Sequence, residues 1–598
     1  MKSIFTFLFI VNVVCGFAQR VPILERKISI SLTNEKLTNA LNRISQEGKF
    51  SFSYNASIID ESQTVSLNVT NKTVREALNQ VFKGTMDYKE KSSHLILTKV
   101  PIKQTQTTTT VVIISGYVED AATKEKVPDA SVYDKKSITS AVTDEYGYFK
   151  MKLDKKNQEA SIAVSKKDYK DTLISITAPS DQYLNISITP IEKDSVIVKA
   201  ETTSVDTVKE EIKEEEFVLP YSDEPNVQNI SDTLYRDIQI SFLPFLGSNG
   251  KLSGNIINDY SINILGGYSL GTRQIELGFF FNLDRGNVKW LQVAGFGNLV
   301  GGDVYGIQGA GFFNINGGST VAAQGAGFGN LNFKEFSGVQ FGGFTNVNLS
   351  SVHGVSIAGF ANVTNGESRG VQVAGFSNIQ TDNYRGSQFA GFSNITDGHI
   401  EGSQVSAFFN YGKKVRGTQI GIFNYADSLG GVPIGLVSIV KNGYHKLEVS
   451  ADEVFYTNLS FRTGVRQFYN ILNVGMQPQP VDDNTIVWTF GYGLGTAPKL
   501  TNWLDLNIDL VSQHVNKDGF TDELSSLNKL YVGLDFRLAR KLSLATGVTL
   551  NAYFTKTTYT DYPSLFVDYK PNIIYDHTYD NNTNLKMWFG AKVGLRFF

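Results

Sequence analysis

The motif with the clearest catalytic chemistry in this sequence is Gly-Tyr-Ser-Leu-Gly, at residues 267–271. In a G-x-S-x-G pattern the serine becomes an exposed nucleophile where a sharp turn joins a strand to a helix. Here the pattern ends a stretch of alternating residues, and no helical pattern follows it. We therefore predict that Ser269 is not a catalytic nucleophile and that the protein is not an enzyme.

Other residues that could hold a cofactor or a metal do not have the spacing that this would need. Gly-Tyr-Gly-Leu-Gly at 491–495 is not a dinucleotide-binding loop, because the Thr-Ala-Pro that follows does not open a helix. The histidines are scattered without zinc-ligand spacing, and they are His94, His353, His399, His445, His514 and His577. Two of them, His353 and His399, fall at turns of a repeat and are expected to face solvent. We predict no metal, no cofactor and no catalytic site.

The composition favours β-sheet and does not suit a general polyanion-binding protein. The chain has 598 residues and a net charge of −3, so nucleic acid is not an expected partner. It contains 54 glycines, 12% aromatic residues and only 19% charged residues, which suits strands with tight turns better than helices. This length predicts several domains rather than one core.

Residues 1–18 are predicted to be a secretory signal peptide. Lys2 is followed by an apolar run and by a small-x-small cleavage site at 16–18. The only cysteine, Cys15, lies in this segment, so no disulfide is expected. No later run of about 18 uninterrupted apolar residues is present. An exported chain of this kind is a soluble periplasmic protein, a secreted protein or an outer-membrane barrel.

The C-terminal stretch NLKMWFGAKVGLRFF favours the barrel. Its apolar residues, which begin with Met587 and Phe589, alternate with Lys586, Lys592 and Arg596. A strand with lipid outside and a polar interior needs this period of two. The final residue, Phe598, resembles the closing-strand signal of bacterial outer-membrane proteins. The alternative is an ordinary amphipathic strand of a soluble sandwich.

Residues 27–99 follow a strand–helix–strand plan twice. The first copy has a predicted helix cap at Thr33 and Asn34, and the second has Thr73 and Glu76 at the spacing of a capping box. This region resembles the STN (secretin and TonB short N-terminal) domain. The resemblance implies a small α+β domain in the periplasm that contacts partner proteins, often signalling proteins, and that is not catalytic.

Residues 112–190 contain the segments GYVED, VPDASV and TDEYGYF. They resemble the carboxypeptidase regulatory-like domain, a small β-sandwich common in outer-membrane proteins of Bacteroidota. Alternating valine, tyrosine and phenylalanine residues are expected to face the sandwich core. No metal-ligand constellation is present, so the name of this domain does not imply a peptidase.

The segment 191–235 is predicted to be an acidic linker with a solvated charge run, KEEIKEEE. Before that run, DSVIVKA resembles the TonB box, a short strand that transporters offer to their energising partner by β-augmentation. This possible site consists of Asp194, Ser195, Val196, Ile197, Val198, Lys199 and Ala200. The alternative is a plain strand that ends the sandwich. The stretch from Ala200 to Arg236 is too short for the plug domain of a TonB-dependent transporter.

The region 236–598 consists of strand after strand, and it contains a 16-residue repeat at about 276–425. Two successive copies share the residues that define the repeat, which are Gln372, Phe376, Asn378, Gln388, Phe392 and Asn394. A fixed internal period means that one structural unit is repeated. Each unit is either one barrel strand with a tight turn or one coil of a β-solenoid with ladders of like residues. The sequence leaves both alternatives open. If side chains alternate strictly along each unit, neither face of the repeat is uniformly apolar, as contact with lipid would need.

The predicted fold is mainly β, with a small α+β STN domain, a β-sandwich and an outer-membrane β-barrel that includes the repeat block. Segments on both sides of the repeat alternate and are aromatic-rich, with the length of about 9–11 residues that membrane β-strands have. The layout resembles a Bacteroidota family of outer-membrane proteins with a repeat-containing β-domain. That resemblance implies no particular activity.

We expect a protein of the outer membrane whose N-terminal domains lie in the periplasm. Its expected contacts are outer-membrane lipid, the barrel assembly machinery during insertion, and partner proteins of an envelope assembly, secretion, transport or signalling system, such as TonB or an anti-sigma regulator. The alternatives are a passive or TonB-linked channel or transporter, and a structural surface protein that displays the repeats.

Overall fold

The structure is a computed structural model of the chain, and it describes residues 21–60, 62–83, 85–99, 111–154, 159–177, 181–191, 217–477, 486–557 and 571–598. The predicted signal peptide lies outside these ranges. The chain forms two compact units, of which the first comprises Met1–Ala200 with Gln228–Ile230 and the second comprises Glu201–Val227 with Ser231–Phe598. None of the helices in the described ranges is long and apolar enough to cross a membrane.

The first unit begins with a small α+β domain. Its elements are β1 (Lys27–Lys36), α1 (Leu37–Gly48), β2 (Ser51–Ser53), β3 (Thr64–Thr73), α2 (Val74–Phe82), β4 (Met86–Lys91) and β5 (His94–Lys99), with short 3-10 helices at Ile23–Glu25 and Ala56–Ile58. Strands β1 and β3 pair with each other, and a second sheet has the order β2-β5-β4. Apolar residues at helical spacing, such as Leu41 in α1 and Leu78 in α2, are buried in the core of this domain.

The two helices of this domain begin differently. The predicted capping box is confirmed, because Thr73 Oγ1 accepts from the Glu76 amide and the Glu76 carboxylate accepts from the Thr73 amide. The predicted cap at Thr33 and Asn34 is wrong, because β1 continues as far as Lys36. Asn34 has a φ of 51° at an irregularity in the pairing of β1 with β3. These polar residues therefore mark a bulge in a strand and not the start of a helix.

Seven strands follow as a β-sandwich. They are β6 (Val111–Asp120), β7 (Ser131–Asp134), β8 (Thr139–Val142), β9 (Tyr148–Asp154), β10 (Glu159–Ser165), β11 (Thr172–Thr177) and β12 (Gln182–Ile188). One sheet has the order β12-β6-β9 and the other β11-β10-β7-β8. Val118, Val132, Ile162 and Ile186 are buried in their common core, as the alternation of apolar residues predicts.

A short helix, α3 (Pro225–Asn229), precedes a β-solenoid. The solenoid strands are β13 (Leu234–Leu243), β14 (Leu246–Gly247), β15 (Ile256–Asn263), β16 (Gly266–Ser269), β17 (Gly271–Gly278), β18 (Phe281–Asp284), β19 (Val288–Ala294), β20 (Gly297–Val300), β21 (Val304–Ala310), β22 (Phe313–Asn316), β23 (Thr320–Ala326), β24 (Gly329–Asn332), β25 (Phe336–Gly342), β26 (Thr345–Asn348), β27 (Val352–Ala358), β28 (Ala361–Thr364), β29 (Ser368–Ala374), β30 (Ser377–Gln380), β31 (Tyr384–Ala390), β32 (Ser393–Ser406), β33 (Phe409–Val415), β34 (Gln419–Ile420), β35 (Phe423–Leu429), β36 (Pro433–Ile434) and β37 (Val437–Val440), with a 3-10 helix at Gly250–Asn255. A typical coil has one longer and one shorter strand, and each pairs in parallel with the equivalent strand of the next coil.

The C-terminal part is a closed barrel. Its strands are β38 (Tyr444–Asp452), β39 (Thr457–Val465), β40 (Phe468–Met476), β41 (Val487–Thr496), β42 (Leu504–Lys517), β43 (Ser525–Ala539), β44 (Leu542–Lys556) and β46 (Thr583–Phe597), and β45 (Ile573–Thr578) adds to β46. Neighbouring strands are antiparallel, and the pairing of β38 with β46 closes the barrel. Closure leaves no unpaired sheet edge in the eight-stranded wall.

The strand pairing decides between the two alternatives for the repeat. Each 16-residue unit is one coil of a β-solenoid and not a barrel strand with a turn. The barrel therefore begins at Tyr444 and not at residue 236. The alternating segments at 235–246 and 260–270, whose length favoured membrane strands, form the first solenoid coils. Parallel pairing with the next coil satisfies the backbone of each repeat as well as antiparallel barrel pairing would, so the length and alternation of these segments did not distinguish the two folds.

Candidate functional site: the barrel and the solenoid core

The outer wall of the barrel is apolar. Val548 is 60% exposed and Phe589 is 63% exposed. Exposed side chains on the same wall include Val449, Leu459, Phe461, Leu472, Val474, Phe490, Leu510, Val532, Val593 and Leu595. Monomeric soluble proteins rarely expose so continuous an apolar surface, which marks contact with lipid or with another apolar surface. The predicted alternation of the last strand is confirmed, because Lys592 and Arg596 point into the interior.

Two arginines lie fully buried inside the barrel. Arg462 Nη2 donates to Asp509 Oδ2 at 2.8 Å. Arg596 Nε donates to Glu448 Oε2 at 2.5 Å, and its Nη1 donates to Asp535 Oδ2 at 3.2 Å. Arg462 Nη1 also lies 3.0 Å from Glu448 Oε2. A guanidinium removed from water is stabilised only when carboxylates surround it in this way.

Two lysines complete this interior network. Lys592 Nζ lies 2.7 Å from Glu448 Oε1, and Lys529 Nζ lies 2.5 Å from Asp452 Oδ2. The cations Arg462, Lys529, Lys592 and Arg596 thus balance the anions Glu448, Asp452, Asp509 and Asp535. The network as a whole carries no net charge, which limits the cost of burying it.

Large side chains occupy much of the remaining interior. Trp588, Tyr469 and Tyr553 are fully buried, and the Tyr469 hydroxyl donates to Asp509 Oδ1 at 2.6 Å. The cavity among the interior polar side chains measures about 30 Å³, which leaves room for only a few water molecules. A barrel of eight strands is narrow enough for side chains to fill. Side chains therefore fill much of the barrel interior among the described residues.

The two ends of the barrel differ in the length of their connections. Short turns at 466–467 and 540–541, with a seven-residue connection at 497–503, join strands at the end where β46 finishes. Longer connections, at 477–486 and 557–572, join strands at the opposite end. Barrels of the outer membrane have short turns on the periplasmic side and longer loops outside. The short-turn end is thus the candidate periplasmic end.

Phe598 follows β46 at the short-turn end. Its amide donates to the Lys541 carbonyl at 3.1 Å, and its carbonyl accepts from Lys446 Nζ at 2.5 Å. The closure of the barrel itself comes from the pairing of β46 with β38. The terminal residue therefore lies next to the closing seam without being one of its paired positions.

The repeat residues come together as ladders inside the solenoid. Gln388 Nε2 donates to Gln372 Oε1 at 2.9 Å, and Asn378 Nδ2 donates to Asn394 Oδ1 at 2.8 Å and to a backbone carbonyl. All four side chains are 2% exposed or less. The asparagine ladder donates towards the C-terminus and the glutamine ladder towards the N-terminus. A core of amides is stable here because each amide finds a like partner one coil away.

Phe376 and Phe392 lie outside this core. Their rings stack with centroids 4.9 Å apart and an angle of 3° between planes. Strict alternation of side chains predicted that neither face of the repeat would be uniformly apolar. This prediction is wrong, because the outward face of the coil is apolar. Alternation changes phase at the corner formed by Gly375 and Phe376, so the side chains of Val371, Val373, Phe376 and Ile379 all point outward while Gln372 and Asn378 point inward.

Ser269, the serine of the G-x-S-x-G motif, is fully buried between β16 and β17. Its hydroxyl donates to Asp284 Oδ1 at 2.5 Å. Gln292 Nε2 donates both to Asp284 Oδ2 at 2.7 Å and to Glu276 Oε2 at 2.9 Å. Burial, together with the neighbouring Glu276 carboxylate, raises the pKa of Asp284 well above its usual value. The motif thus belongs to a buried hydrogen-bond network at the start of the solenoid.

His353 and His399 are exposed, as predicted, but they lie within β27 and β32 and not in turns. His353 Nδ1 lies 2.8 Å from Glu335 Oε1. Both histidines line an open groove of about 590 Å³ together with Arg369 and Arg385. Within the described ranges, no three His, Cys, Asp or Glu side chains are grouped as a metal site would need. The glycines of 491–495 lie within β41 of the barrel wall.

The α+β domain and the sandwich of the first unit meet at a buried junction. The Tyr117 hydroxyl donates to Glu25 Oε2 at 2.7 Å and lies 3.2 Å from Thr73 Oγ1. Arg75 lies over the Tyr148 ring, 3.9 Å from its centroid, and pairs with Glu25. Burial, then the Glu25 charge, raises the pKa of Tyr117. The two domains are held together by this network.

An open groove of about 430 Å³ lies beside that junction. Tyr88 and Tyr183 line it, and the hydroxyl groups of both are buried without a hydrogen-bond partner among the described residues. Residues 86–88 of β4, an edge strand of its sheet, also line it. An edge strand next to unpaired donors suits an extended peptide that adds to the sheet.

The TonB-box-like segment Asp194–Ala200 lies outside the described residues. Sequence reasoning missed the charged residues of the barrel interior other than those of the last strand. The signal that could have found Glu448, Arg462 and Asp509 is a charge at an inward position of an alternating strand.

Two parts of the first unit match known families. Residues 50–85 match the Secretin and TonB N terminus short domain, and residues 114–200 match the CarboxypepD_reg-like domain. No match was found among curated proteins. The chain therefore contains an STN domain and a carboxypeptidase regulatory-like domain, followed by a β-solenoid and a closed eight-stranded barrel.

Proposed function

We propose that this protein is a non-enzymatic outer-membrane protein, whose barrel anchors it and whose N-terminal unit binds partner proteins in the periplasm. The observation that carries the proposal is the inverted polarity of the barrel. Its wall exposes side chains such as Phe589 and Val548, while Arg462, Glu448 and Arg596 are fully buried inside. In lipid this arrangement is favourable, because the apolar wall meets acyl chains and closure satisfies every strand edge. The barrel assembly machinery would insert such a chain.

The STN domain supports a role in a TonB-related transport or signalling system of the envelope. The groove lined by Tyr88 and Tyr183 is the surface that best suits a partner. An extended segment of TonB, of an anti-sigma regulator or of another envelope protein would pair with the β4 edge. The buried hydroxyl groups of the two tyrosines would then gain partners from its backbone.

An anchor is favoured over a passive channel because large side chains such as Trp588, Tyr469 and Tyr553 are fully buried in the barrel interior. The burial of Ser269 supports the non-enzymatic part of the proposal. In a planar bilayer the purified protein is expected to be silent. A fluorophosphonate probe, which labels activated serines, is expected to leave it unlabelled; labelling lost in Ser269→Ala would overturn this part.

The main test combines fractionation with site-specific cross-linking of the full chain in cells. The protein is expected in carbonate-washed outer membranes, with gel migration that changes on heating. A photo-cross-linking residue in place of Lys83, which lines the groove, should trap a partner that the same residue in place of Lys136, in the sandwich outside the groove, does not trap. Recovery in the soluble fraction would refute the anchor, and equal trapping from both positions would refute the groove.

A further inference from the structure

Past the first coils, whose interior holds Glu276 and Asp284, the charged residues of the solenoid are confined to one edge. Between residues 286 and 440, every Asp, Glu, Lys and Arg lies at the corner that follows a short strand or at the start of the next long strand. We call this the charged edge, and its members are Lys289, Asp303, Lys334, Glu335, Glu367, Arg369, Asp382, Arg385, Asp397, Glu401, Lys413, Lys414, Arg416 and Asp427. The rest of each coil, such as VQVAGFSNI at 371–379, contains no charge at all.

The opposite edge is a continuous ladder of phenylalanines, which we call the phenylalanine edge. Ring centroids of successive members lie 4.8 to 5.1 Å apart, and most of the rings are 40–45% exposed. Its members are Phe280, Phe296, Phe312, Phe328, Phe344, Phe360, Phe376, Phe392 and Phe408. An exposed aromatic ladder of this length in water would be a strong aggregation site.

Both outer faces between the two edges are apolar as well. On the long-strand face, Ile307, Val339 and Phe341 are at least 50% exposed. On the short-strand face, the exposed side chains include Ile379 and Ile439. The solenoid thus presents apolar surface on three sides and keeps its amides inside, which is the reverse of a soluble β-solenoid.

The depth of this apolar part matches one leaflet of a membrane. From Val371, the first outward apolar residue after the charged edge, to Phe376 the chain covers about 16 Å at about 3.3 Å per residue. The hydrocarbon core of a bilayer is about 30 Å thick, so one leaflet contributes about 15 Å. A solenoid inserted by its phenylalanine edge would bury its apolar part and leave its charged edge at the headgroups.

The last coil joins this apolar part to the wall of the barrel. Thr463 Oγ1 donates to the Ser438 carbonyl at 2.7 Å, and the Tyr492 hydroxyl donates to the Gly435 carbonyl at 2.8 Å. Thr463 and Tyr492 both face outward from the barrel wall. They lie two residues after exposed Phe461 and exposed Phe490 on the same strands, and alternate residues of a strand share a face. Thr463 lies close to the short-turn end. The solenoid therefore continues the apolar band of the barrel at the candidate periplasmic end.

We infer that the solenoid is itself embedded in the periplasmic leaflet of the outer membrane, with the phenylalanine edge in the acyl chains and the charged edge at the headgroups. The occupant of the apolar surface is phospholipid. A second copy of the chain would cover one face, whereas lipid covers both faces and the edge together. This inference rests on the proposed membrane anchor, and it adds a second, non-spanning membrane element of a kind that helices more commonly provide.

The test uses single cysteines in the full chain, whose only natural cysteine is Cys15 in the predicted signal peptide. An environment-sensitive fluorophore is attached at Val339→Cys or Phe360→Cys in the apolar part, at Arg385→Cys on the charged edge, and at Val548→Cys on the barrel wall. Each protein is reconstituted into phosphatidylethanolamine–phosphatidylglycerol vesicles, with or without brominated acyl chains. A change of gel migration on heating, as in the unsubstituted protein, shows that each variant retains its barrel.

Labels at 339, 360 and 548 are expected to emit at shorter wavelength and to lose most of their intensity with brominated lipid, whereas the label at 385 should keep its intensity. Quenching at 548 without quenching at 339 and 360 would overturn this inference and leave the anchor intact. Equal quenching at 360 and 385 would also overturn it, because the edges would not be distinguished. Absence of quenching at all four sites would refute the anchor itself.

Discussion

Replacing Glu448 by glutamine is expected to destabilise the barrel by about 3–5 kcal/mol, the cost of breaking a buried ion pair from one side. The Glu448 carboxylate is fully buried and lies 2.5 to 3.0 Å from Arg462, Lys592 and Arg596. Glutamine keeps the size of the side chain and removes its charge. The balanced interior network would then hold one uncompensated cation, in a space with room for only a few water molecules.

The assay is the temperature at which the barrel loses its compact gel migration, measured on the full chain in lipid vesicles and supported by urea titration. Glu448→Gln with Lys592→Gln restores the charge balance and should recover much of the loss. Asp576→Asn is the matched control, because its carboxylate is half exposed and 3.9 Å from Lys586, and such pairs contribute about 0–1 kcal/mol. The reasoning fails if Glu448→Gln changes stability no more than Asp576→Asn does, or if the double variant is less stable than the single one.

Three further predictions concern the solenoid and are measured by thermal unfolding and by hydrogen exchange of its strands. Gly386→Ala should lower the free energy of unfolding by about 2 kcal/mol or more, because the added Cβ would clash with the Gly370 carbonyl at a φ of 140°. Gly325→Ala is the control, since its Cβ meets nothing within 4 Å and the change should be nearly neutral. Equal effects of the two substitutions would contradict the close stacking of coils. Ser356→Gln should stabilise by about 1 kcal/mol, since Ser356 interrupts the glutamine ladder where Gln340 Nε2 donates to its hydroxyl at 2.7 Å, and a loss of stability would show that the site cannot hold the longer amide. Because the pKa of Asp284 is raised in the folded state by burial and then by Glu276, its contribution to stability is complete below the ordinary aspartate pKa and is lost as pH rises through the raised folded-state pKa. Asp284→Asn should remove the fall in stability that begins above about pH 4, and an unchanged pH profile would contradict it.

Much of the first unit follows from its sequence, because its signals are local. The capping box of Thr73 and Glu76 needs only four consecutive residues, and the apolar spacing of α1 and α2 needs only one helical face. The last strand of the barrel is equally readable, since Lys592 and Arg596 alternate with exposed apolar residues along one straight strand. In each case the residues that decide the structure are neighbours in the chain.

The architecture of the repeat does not follow in the same way. Its period of 16 residues fits both a barrel strand with a turn and a solenoid coil, because both place the next copy beside the first. The outward face was also hidden, since Gly375 and Phe376 form a corner at which the alternation of side chains changes phase. The pairing of Glu448 with Arg596 joins residues from the two ends of the barrel sequence. Only the closed topology brings them together.

Two unlike modules in this chain solve one physical problem, which is a polar interior under an apolar surface. The barrel satisfies buried charges by pairing Arg462 and Arg596 with carboxylates, and the solenoid satisfies buried amides by stacking like on like. In water neither would be favoured, since the amides could bond to solvent and each large apolar side chain left outside would forgo about 1.5–3 kcal/mol of burial. In lipid the balance reverses, because internal partners become the only ones for polar groups. A lipid environment, as proposed above, would therefore account for both modules, and the charged edge would lie where the acyl chains end.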